Sequence, residues 1–118
     1  MMKTVLVVDD DLANRMLPGL ILGREKYQVS ECADGAQALQ LLSTKTYDYI
    51  LLDISLPKIS GIDICRSIRR NEHLRDIKIF AYTAHAMKAQ TKEILSSGFD
   101  DILIKPINRQ DLLSLFQY

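Results

Sequence analysis

The stretch VLVVDDD, Val5–Asp11, decides the fold, because four apolar residues lead directly into three aspartates. A strand inside a parallel sheet is buried on both faces and therefore has a continuous apolar sequence. The stretch predicts a buried parallel strand with acids at its carboxyl end.

Three further stretches repeat this pattern of an apolar run that stops at a polar residue. They are Tyr49–Leu52 before Asp53, Ile79–Tyr82 before Thr83, and Ile102–Ile104 before Lys105. The carboxyl ends of parallel strands open on one edge of the sheet, where open α/β sheets bind ligands. The sequence therefore predicts one edge that holds several acids, a hydroxyl and a lysine.

Length and charge restrict the class of protein. The chain has 118 residues with 15 basic and 15 acidic side chains, and domains cluster near ~100–150 residues. The zero net charge gives no electrostatic reason to expect nucleic-acid or membrane binding. No apolar run approaches the ~18–20 residues of a membrane span. We expect a soluble, cytoplasmic single domain over residues 1–118, with Cys32 and Cys65 as free thiols.

Strand-like and helix-like segments alternate five times, which predicts an α/β fold with right-handed crossovers. The predicted strands are Thr4–Val8, Gln28–Cys32, Tyr49–Leu52, Lys78–Tyr82 and Ile102–Ile104, the second near a sheet edge. The predicted helices are one capped by Asp11 to about Glu25, one from Asp34 to about Ser43, one from Ser60 to about Arg70, one over Met87–Ser97 before Gly98, and one from Asn108 to the C-terminus.

The first helix carries two particular expectations. Leu17, Leu20 and Ile21 are predicted to form part of its inner stripe. Pro18 lies within the same helix, where it should cost a hydrogen bond or introduce a kink.

Asp9 and Asp10 after the first strand and Asp53 after the third are predicted to converge. Like charges ~4 Å apart repel by about 4 kcal/mol at an effective dielectric constant of 20, so the cluster requires a cation or raised pKa values. Carboxylates with backbone carbonyls and water are ligands that suit Mg²⁺. With the Lys105 charge and the Thr83 hydroxyl, the set predicts phosphoryl transfer, with Asp53 as the nucleophile because it stands apart from the acidic pair.

Four pieces of the chain together resemble the receiver domain of two-component response regulators, over essentially the whole length. They are VLVVDDD (Val5–Asp11), DISLPKISG (Asp53–Gly61), AYTAHAM (Ala81–Met87) and ILIKPI (Ile102–Ile107). The resemblance implies a flavodoxin-like fold, with a five-stranded parallel sheet in the order 2-1-3-4-5 flanked by five helices. It also implies a regulator of the stand-alone type, which acts by docking.

The resemblance further implies that Asp53 accepts a phosphoryl group from a phosphohistidine on a histidine kinase or histidine phosphotransfer protein. Asp10, Asp53 and the backbone carbonyl of Ser55 would bind Mg²⁺ directly, and Asp9 through a water molecule. The domain would catalyse only its own phosphorylation and dephosphorylation, and would not be an enzyme for other substrates.

The family's switch is implied at the remaining positions. Lys105 would pair with the phosphoryl group, and its bond to Pro106 is typically cis in the family. The Thr83 hydroxyl would move to bond a phosphoryl oxygen beside the backbone N–H of Ala84. The surface of helix 4, strand 5 and helix 5 would meet the downstream protein, while helix 1 and the loops around Asp53 would meet the phosphodonor.

The chain departs from the family at Ile102, where family members usually carry Tyr or Phe three residues before the lysine. Phosphorylation should persist, whereas the usual coupling between threonine and aromatic ring is not expected. Ser55 and His85 occupy positions that tune hydrolysis of the phosphoryl group in the family.

Two other functions remain open from the residues. A phosphatase of the haloacid dehalogenase type would use Asp9–Asp11 as its D-x-D motif together with Thr83 and Lys105, but it would give Asp53 no role. A receiver-like interaction module that is not switched by phosphorylation is favoured only by Ile102. Labelling by a small phosphodonor distinguishes the receiver, the phosphatase and the unswitched module.

Overall fold

The computed structural model describes residues 2–84 and 88–116, and the side chains of these except 88 and 89. Its strands are β1 (Thr4–Val8), β2 (Gln28–Cys32), β3 (Tyr49–Asp53), β4 (Lys78–Thr83) and β5 (Asp101–Ile104). Its helices are α1 (Leu12–Arg24), α2 (Gly35–Thr44), α3 (Gly61–Arg70), α4 (Lys88–Ser96) and α5 (Arg109–Leu115). No described helix has the length and apolar character that crossing a membrane requires.

The strands form one parallel sheet in the order β2-β1-β3-β4-β5, which confirms the predicted topology. β3 and β4 each run one residue further than predicted, so Asp53 and Thr83 are the last residues of their strands. β2 lies at the sheet edge and exposes Gln28 and Glu31, as its polar sequence indicated. The polar ends of β1, β3, β4 and β5 therefore share one edge.

Alternate residues of each strand enter two separate cores, because successive side chains of a strand point to opposite faces. Leu6 and Val8 of β1 pack in the core that includes buried residues of α2, α3 and α4. Val5 and Val7 pack in the core that includes buried residues of α1 and α5. Both free cysteines lie in the first core, where burial raises the pKa of each thiol to about 11.

The predicted helix caps are confirmed. Each of the four residues accepts a hydrogen bond at its side chain from the backbone N–H three positions later: Asp11 from Asn14, Asp34 from Gln37, Ser60 from Asp63, and Asn108 from Asp111. Gly98, two residues after α4, has φ +115°, a left-handed conformation that favours glycine. The starts of α1, α2, α3 and α5 thus lie where the sequence indicated, whereas α5 ends at Leu115 and not at the C-terminus, and the predicted start of the fourth helix at Met87 lies outside the described residues.

The predicted inner stripe of α1 is wrong at two of its three positions. Leu17 is 43% exposed and Leu20 is 59% exposed, whereas Leu22 is fully buried. Packing against β2 and α5 fixes the rotation of the helix about its axis, and this rotation turns Pro18 and Leu22 toward the sheet. The helix continues through Pro18, whose ring contributes buried surface. An apolar strip on α1 therefore faces outward.

Gly61 at the start of α3 lies against the backbone of the strand that ends at the site. A Cβ added at Gly61 would lie 2.3 Å from the carbonyl oxygen of Asp53 and 2.7 Å from the Cα of Ile54. Because backbone atoms cannot move aside as a side chain does, Gly61→Ala is expected to lower the free energy of unfolding by about 2–3 kcal/mol. Urea denaturation measures this change.

Gly23→Ala is the matched control for this substitution. Apart from the adjoining backbone of α1, no atom of the described residues lies within 4 Å of a Cβ added at Gly23, so alanine is expected to raise the free energy of unfolding by about 0.5–1 kcal/mol. Equal effects of the two substitutions would contradict the close approach of Gly61 to β3.

Candidate functional site

Three carboxylates meet at the predicted edge of the sheet. One carboxylate oxygen from each of Asp9, Asp10 and Asp53 lies within 4.8 Å of the other two. Asp9 and Asp10 follow β1, Asp53 ends the neighbouring β3, and the parallel pairing of β1 with β3 brings the two strand ends together. The structure thus joins the acids that the sequence predicted to converge.

Asp9 is the most buried acid of the cluster, with no exposed surface. Its Oδ1 accepts a hydrogen bond of 2.9 Å from the backbone N–H of Asp11. Its Oδ2 lies 2.6 Å from Nζ of Lys105 and accepts no hydrogen bond from elsewhere in the part of the chain that the structure describes. A buried carboxylate needs a counter-charge, and Lys105 supplies it.

Lys105 reaches both buried acids from the loop that follows β5. Its Nζ is 2.6 Å from Asp9 Oδ2 and 3.7 Å from Asp53 Oδ2, and its side chain is 12% exposed. The peptide bond from Lys105 to Pro106 is cis, and the backbone N–H of Lys105 donates to the carbonyl of Thr83 over 2.8 Å. A backbone hydrogen bond to β4 and the ion pairs with Asp9 and Asp53 therefore both hold Lys105 at this edge.

Asp53 is 3% exposed, and several neighbouring groups act on the pKa of its carboxyl group. Burial raises the pKa of Asp53 above its ordinary value, and the charges of Asp9 and Asp10 raise it further. The Ser55 N–H, which donates to Asp53 Oδ1 over 2.9 Å, and the Lys105 charge act in the opposite direction. The carboxylate is thus oriented through Oδ1, while Oδ2 faces the lysine.

Thr83, Ala84 and Ser55 lie at the same edge, whereas Ile102 lies two residues before the end of β5. Thr83 is 2% exposed and its strand partner is Ile104. Ala84 is exposed directly after β4, and Ser55 is exposed two residues after β3. Ile102 is partly buried against the core that includes residues of α2, α3 and α4. The roles of these residues stay predictions, and His85 lies outside the described residues.

Two residues that the sequence did not predict also contact the site. Arg15 donates from Nη1 to the carbonyl of Asp9 over 2.8 Å, and its Nε lies 3.5 Å from Oε1 of Glu31. Tyr82 lies under Lys105, whose Nζ is 4.6 Å from the ring centroid. Arg15 lies one helical turn after the cap Asp11, and this spacing could have predicted that its side chain reaches back to the end of β1.

The cluster has the donor set of a divalent cation site. The three acids offer hard oxygen atoms at short mutual distances, which suits Mg²⁺ better than a metal that prefers nitrogen or sulfur ligands. A single lysine does not balance the charge of three carboxylates, so a cation would also relieve their repulsion. The residues present therefore fit a magnesium ion.

The family model for the response regulator receiver domain matches residues 5–117. The chain belongs to the response regulator receiver domain family. Signal transduction histidine-protein kinase BarA of Escherichia coli strain K12 is 38% identical to this receiver domain over 112 residues, which are 95% of this chain and 12% of BarA. The chain thus spans only a small part of the length of that kinase.

Solved receiver domains have the same fold. The chemotaxis response regulator CheY4 of Vibrio cholerae has a TM-score of 0.93 at 27% identity, with 99% of this chain and 98% of that chain covered. The receiver domain of the sensor histidine kinase PA1611 from Pseudomonas aeruginosa has a TM-score of 0.90 at 33% identity, with 99% and 96% covered. That structure contains a magnesium ion coordinated in its active site cleft.

Proposed function

We propose that this receiver domain accepts a phosphoryl group on Asp53 from a phosphohistidine of a histidine kinase or histidine phosphotransfer protein. The observation that carries the proposal is the position of Lys105, whose ammonium lies 2.6 Å from Asp9 and 3.7 Å from Asp53 at a buried acidic edge. A fixed positive charge beside a carboxylate nucleophile is the arrangement that phosphoryl transfer requires.

The transfer step follows from the orientation of Asp53. A carboxylate oxygen of Asp53 attacks phosphorus, the new P–O bond forms as the P–N bond of the donor breaks, and the bonding electron pair returns to the imidazole nitrogen. The Ser55 N–H fixes Oδ1 during this step. The Lys105 ammonium neutralises charge on the phosphoryl oxygens.

Asp10, Asp53 and the backbone carbonyl of Ser55 would hold Mg²⁺, with Asp9 acting through a water molecule. When bound, the ion supplies charge neutralisation for the phosphoryl oxygens. The short distances among the three acids support this assignment, and so does the magnesium ion in the PA1611 receiver domain. Asp9 and Asp10 lie close enough to Asp53 to serve the same ion.

Thr83 and the backbone N–H of Ala84 are proposed to hydrogen-bond the transferred phosphoryl group. The movement of Thr83 that makes this bond would be the conformational switch. Thr83 supports this role by its place at the end of β4, beside the strand that ends at Asp53. Ile102 replaces the aromatic residue that is usual in the family. The conformational change at Thr83 is therefore expected to alter the docking surface without the rotation of an aromatic ring.

Two outward-facing apolar areas are proposed as the partner surfaces. The first, on α1, would meet the phosphodonor, and its exposed members are Leu12, Met16, Leu17 and Leu20. The second, on α4, β5 and α5, would meet the downstream protein and exposes Leu95 and Ile104. Direct nucleic-acid contacts are not part of the proposal, and the single-domain organisation of residues 1–118 and the cytoplasmic location stay predictions.

The alternatives receive less support. A phosphatase of the haloacid dehalogenase type gives Asp53 no role, yet Asp53 lies in the cluster with Asp9, Asp10 and Lys105. An interaction module that is not switched by phosphorylation would not need this cluster of three acids and a lysine. We propose that the domain catalyses only its own phosphorylation and dephosphorylation.

Labelling with a small phosphodonor tests the proposal. The protein is incubated with acetyl phosphate, with and without Mg²⁺, and its intact mass is measured. We expect a Mg²⁺-dependent gain of one phosphoryl group, which peptide mapping after borohydride reduction locates at Asp53. Label at Asp9 would favour the phosphatase, and no label from acetyl phosphate, phosphoramidate or a histidine phosphotransfer protein would favour the unswitched module.

A further inference from the structure

Tyr82 occupies the position beside Asp53 on the same face of the sheet. The two residues are partners in the pairing of β3 with β4, and Leu103 of β5 is the next partner in that row. Neighbouring strands lie ~4.8 Å apart and paired residues point to the same face. Tyr82 therefore stands between Asp53 and the strand from which Lys105 extends.

Lys105 must cross Tyr82 to reach its acids. It follows β5 on the far side of β4, and its Nζ ends within hydrogen-bonding distance of Asp9 on the near side. On the way the ammonium passes 4.6 Å from the centroid of the Tyr82 ring, well inside the ~6 Å range of a cation–π interaction. Tyr82 is 1% exposed, so this contact is made in a largely desolvated setting.

The ring contributes a neutral π face to this contact. Burial raises the pKa of Tyr82 to about 12, and the charges of Asp9, Asp53 and Asp11 act in the same direction. The phenol thus keeps its proton at neutral pH. It adds no charge to the acidic cluster and does not act as a base.

We propose that Tyr82 is a positioning residue, whose ring is the platform that holds the Lys105 ammonium between Asp9 and Asp53 and thereby sets the rate of phosphoryl transfer. Without the ring, the lysine would still be attracted to the acids but would sample many conformations over the gap left beside Asp53. The proposal rests on the function proposed above for Asp53, so the test needs one measurement that is independent of phosphorylation.

The independent measurement is the chemical shift of the Lys105 ε-methylene protons in protein labelled with ¹³C at lysine Cε. A ring beneath the side chain shifts these protons upfield, and loss of the signal in Lys105→Met assigns it. We expect the upfield shift in the unsubstituted protein and in Tyr82→Phe, which keeps the ring. We expect it to disappear in Tyr82→Leu, which removes the ring but keeps an apolar side chain.

The rate of labelling by acetyl phosphate is the second measurement. Tyr82→Leu is expected to slow labelling about 30-fold, which corresponds to the ~2 kcal/mol of a desolvated cation–π interaction, whereas Tyr82→Phe should keep a rate close to the original. In a Lys105→Met background, Tyr82→Leu should cause no further loss, because the ring acts through the lysine. The affinity for Mg²⁺, measured from the shift of melting temperature with Mg²⁺ concentration, should not change.

Phe80→Leu is the matched control for lost core volume. Phe80 lies two residues earlier on the same strand and in the same core as Tyr82, and it is fully buried. Its substitution should lower stability without slowing the labelling of folded protein.

Four results would overturn the proposal: no upfield shift in the unsubstituted protein, an unchanged rate in Tyr82→Leu, a loss in Tyr82→Phe equal to that in Tyr82→Leu, or a loss that persists without Lys105. If the unsubstituted protein takes no phosphoryl group, the function proposed for Asp53 fails. The methylene shift then decides by itself whether the ring holds the lysine.

Discussion

Asp53→Asn is expected to abolish labelling by acetyl phosphate and, at the same time, to make the protein more stable at neutral pH. The amide has no carboxylate to attack phosphorus, so the loss of labelling should be complete. Stability should rise because ionised Asp53 is 3% exposed and lies beside the negative charges of Asp9 and Asp10. Asparagine removes that charge and keeps the shape of the side chain.

The gain in stability should depend on pH in a defined direction. Burial raises the pKa of Asp53 in the folded state above the unfolded value near 3.8. Between these two pKa values the folded state binds more protons at this group than the unfolded state, so stability rises as pH falls through the window. The advantage of Asp53→Asn should therefore be full at pH values above the folded pKa of Asp53 and should shrink as pH falls through that pKa toward the unfolded value.

Urea denaturation at several pH values measures this difference between the two proteins. Asp76→Asn provides the control, because Asp76 is an exposed acid in the loop before β4 and its loss should leave labelling intact. A stability advantage of Asp53→Asn that grows as pH falls would contradict the raised pKa of Asp53. Labelling that survives in Asp53→Asn would contradict the assignment of the nucleophile.

Lys105→Met is expected to slow phosphorylation about a hundredfold or more, the typical cost of removing one preorganised electrostatic contact to a transition state. Methionine keeps much of the apolar length of the side chain but loses the charge beside Asp53. The same change leaves Asp9 buried without its counter-charge. Breaking a buried ion pair in this way costs about 3 kcal/mol of stability.

Mg²⁺ should restore part of the stability of Lys105→Met, since a divalent cation replaces some of the missing positive charge. The rate should stay low, because the phosphoryl oxygens still lack the ammonium. Thermal melting with and without Mg²⁺, together with intact-mass time courses, separates the two effects. Lys45→Met, at an exposed position after α2, is the control and should change neither; a wild-type rate in Lys105→Met would falsify the proposed role of the lysine.

The strands and the site edge could be predicted because their signal is local. Each apolar run identifies a buried strand, and the residue at which it stops marks the carboxyl end, so the sequence alone predicts Asp9, Asp53 and Lys105 on one edge of the sheet. The helix caps were predictable for the same reason, because each depends on residues three positions apart.

The inner face of α1 could not be read from the sequence in the same way. Leu17 and Leu20 are as apolar as Leu22, and only the packing of the helix on β2 and α5 decides which of them is buried. The apolar strip left outside is what makes α1 a candidate partner surface. Hydrophobicity alone does not distinguish a core from an interface.

The role of Tyr82 was missed because it depends on where a distant side chain ends. Tyr82 reads as one more apolar residue of β4, and it is indeed fully buried in the core. Its contact with Lys105 exists only because the lysine returns across the neighbouring strand toward Asp9. A pattern along the chain contains no information about such a crossing.

Successive side chains of β4 point to opposite faces of the sheet. Tyr82 points to the side of α1 and α5, so Thr83, its neighbour, points to the side of α4. The residue proposed to set the rate of phosphorylation and the residue proposed to bond the phosphoryl group are thus neighbours on opposite faces of one strand. If both proposals hold, a substitution at Tyr82 changes the rate of phosphorylation but not the surface that a downstream protein contacts, and a substitution at Thr83 does the reverse.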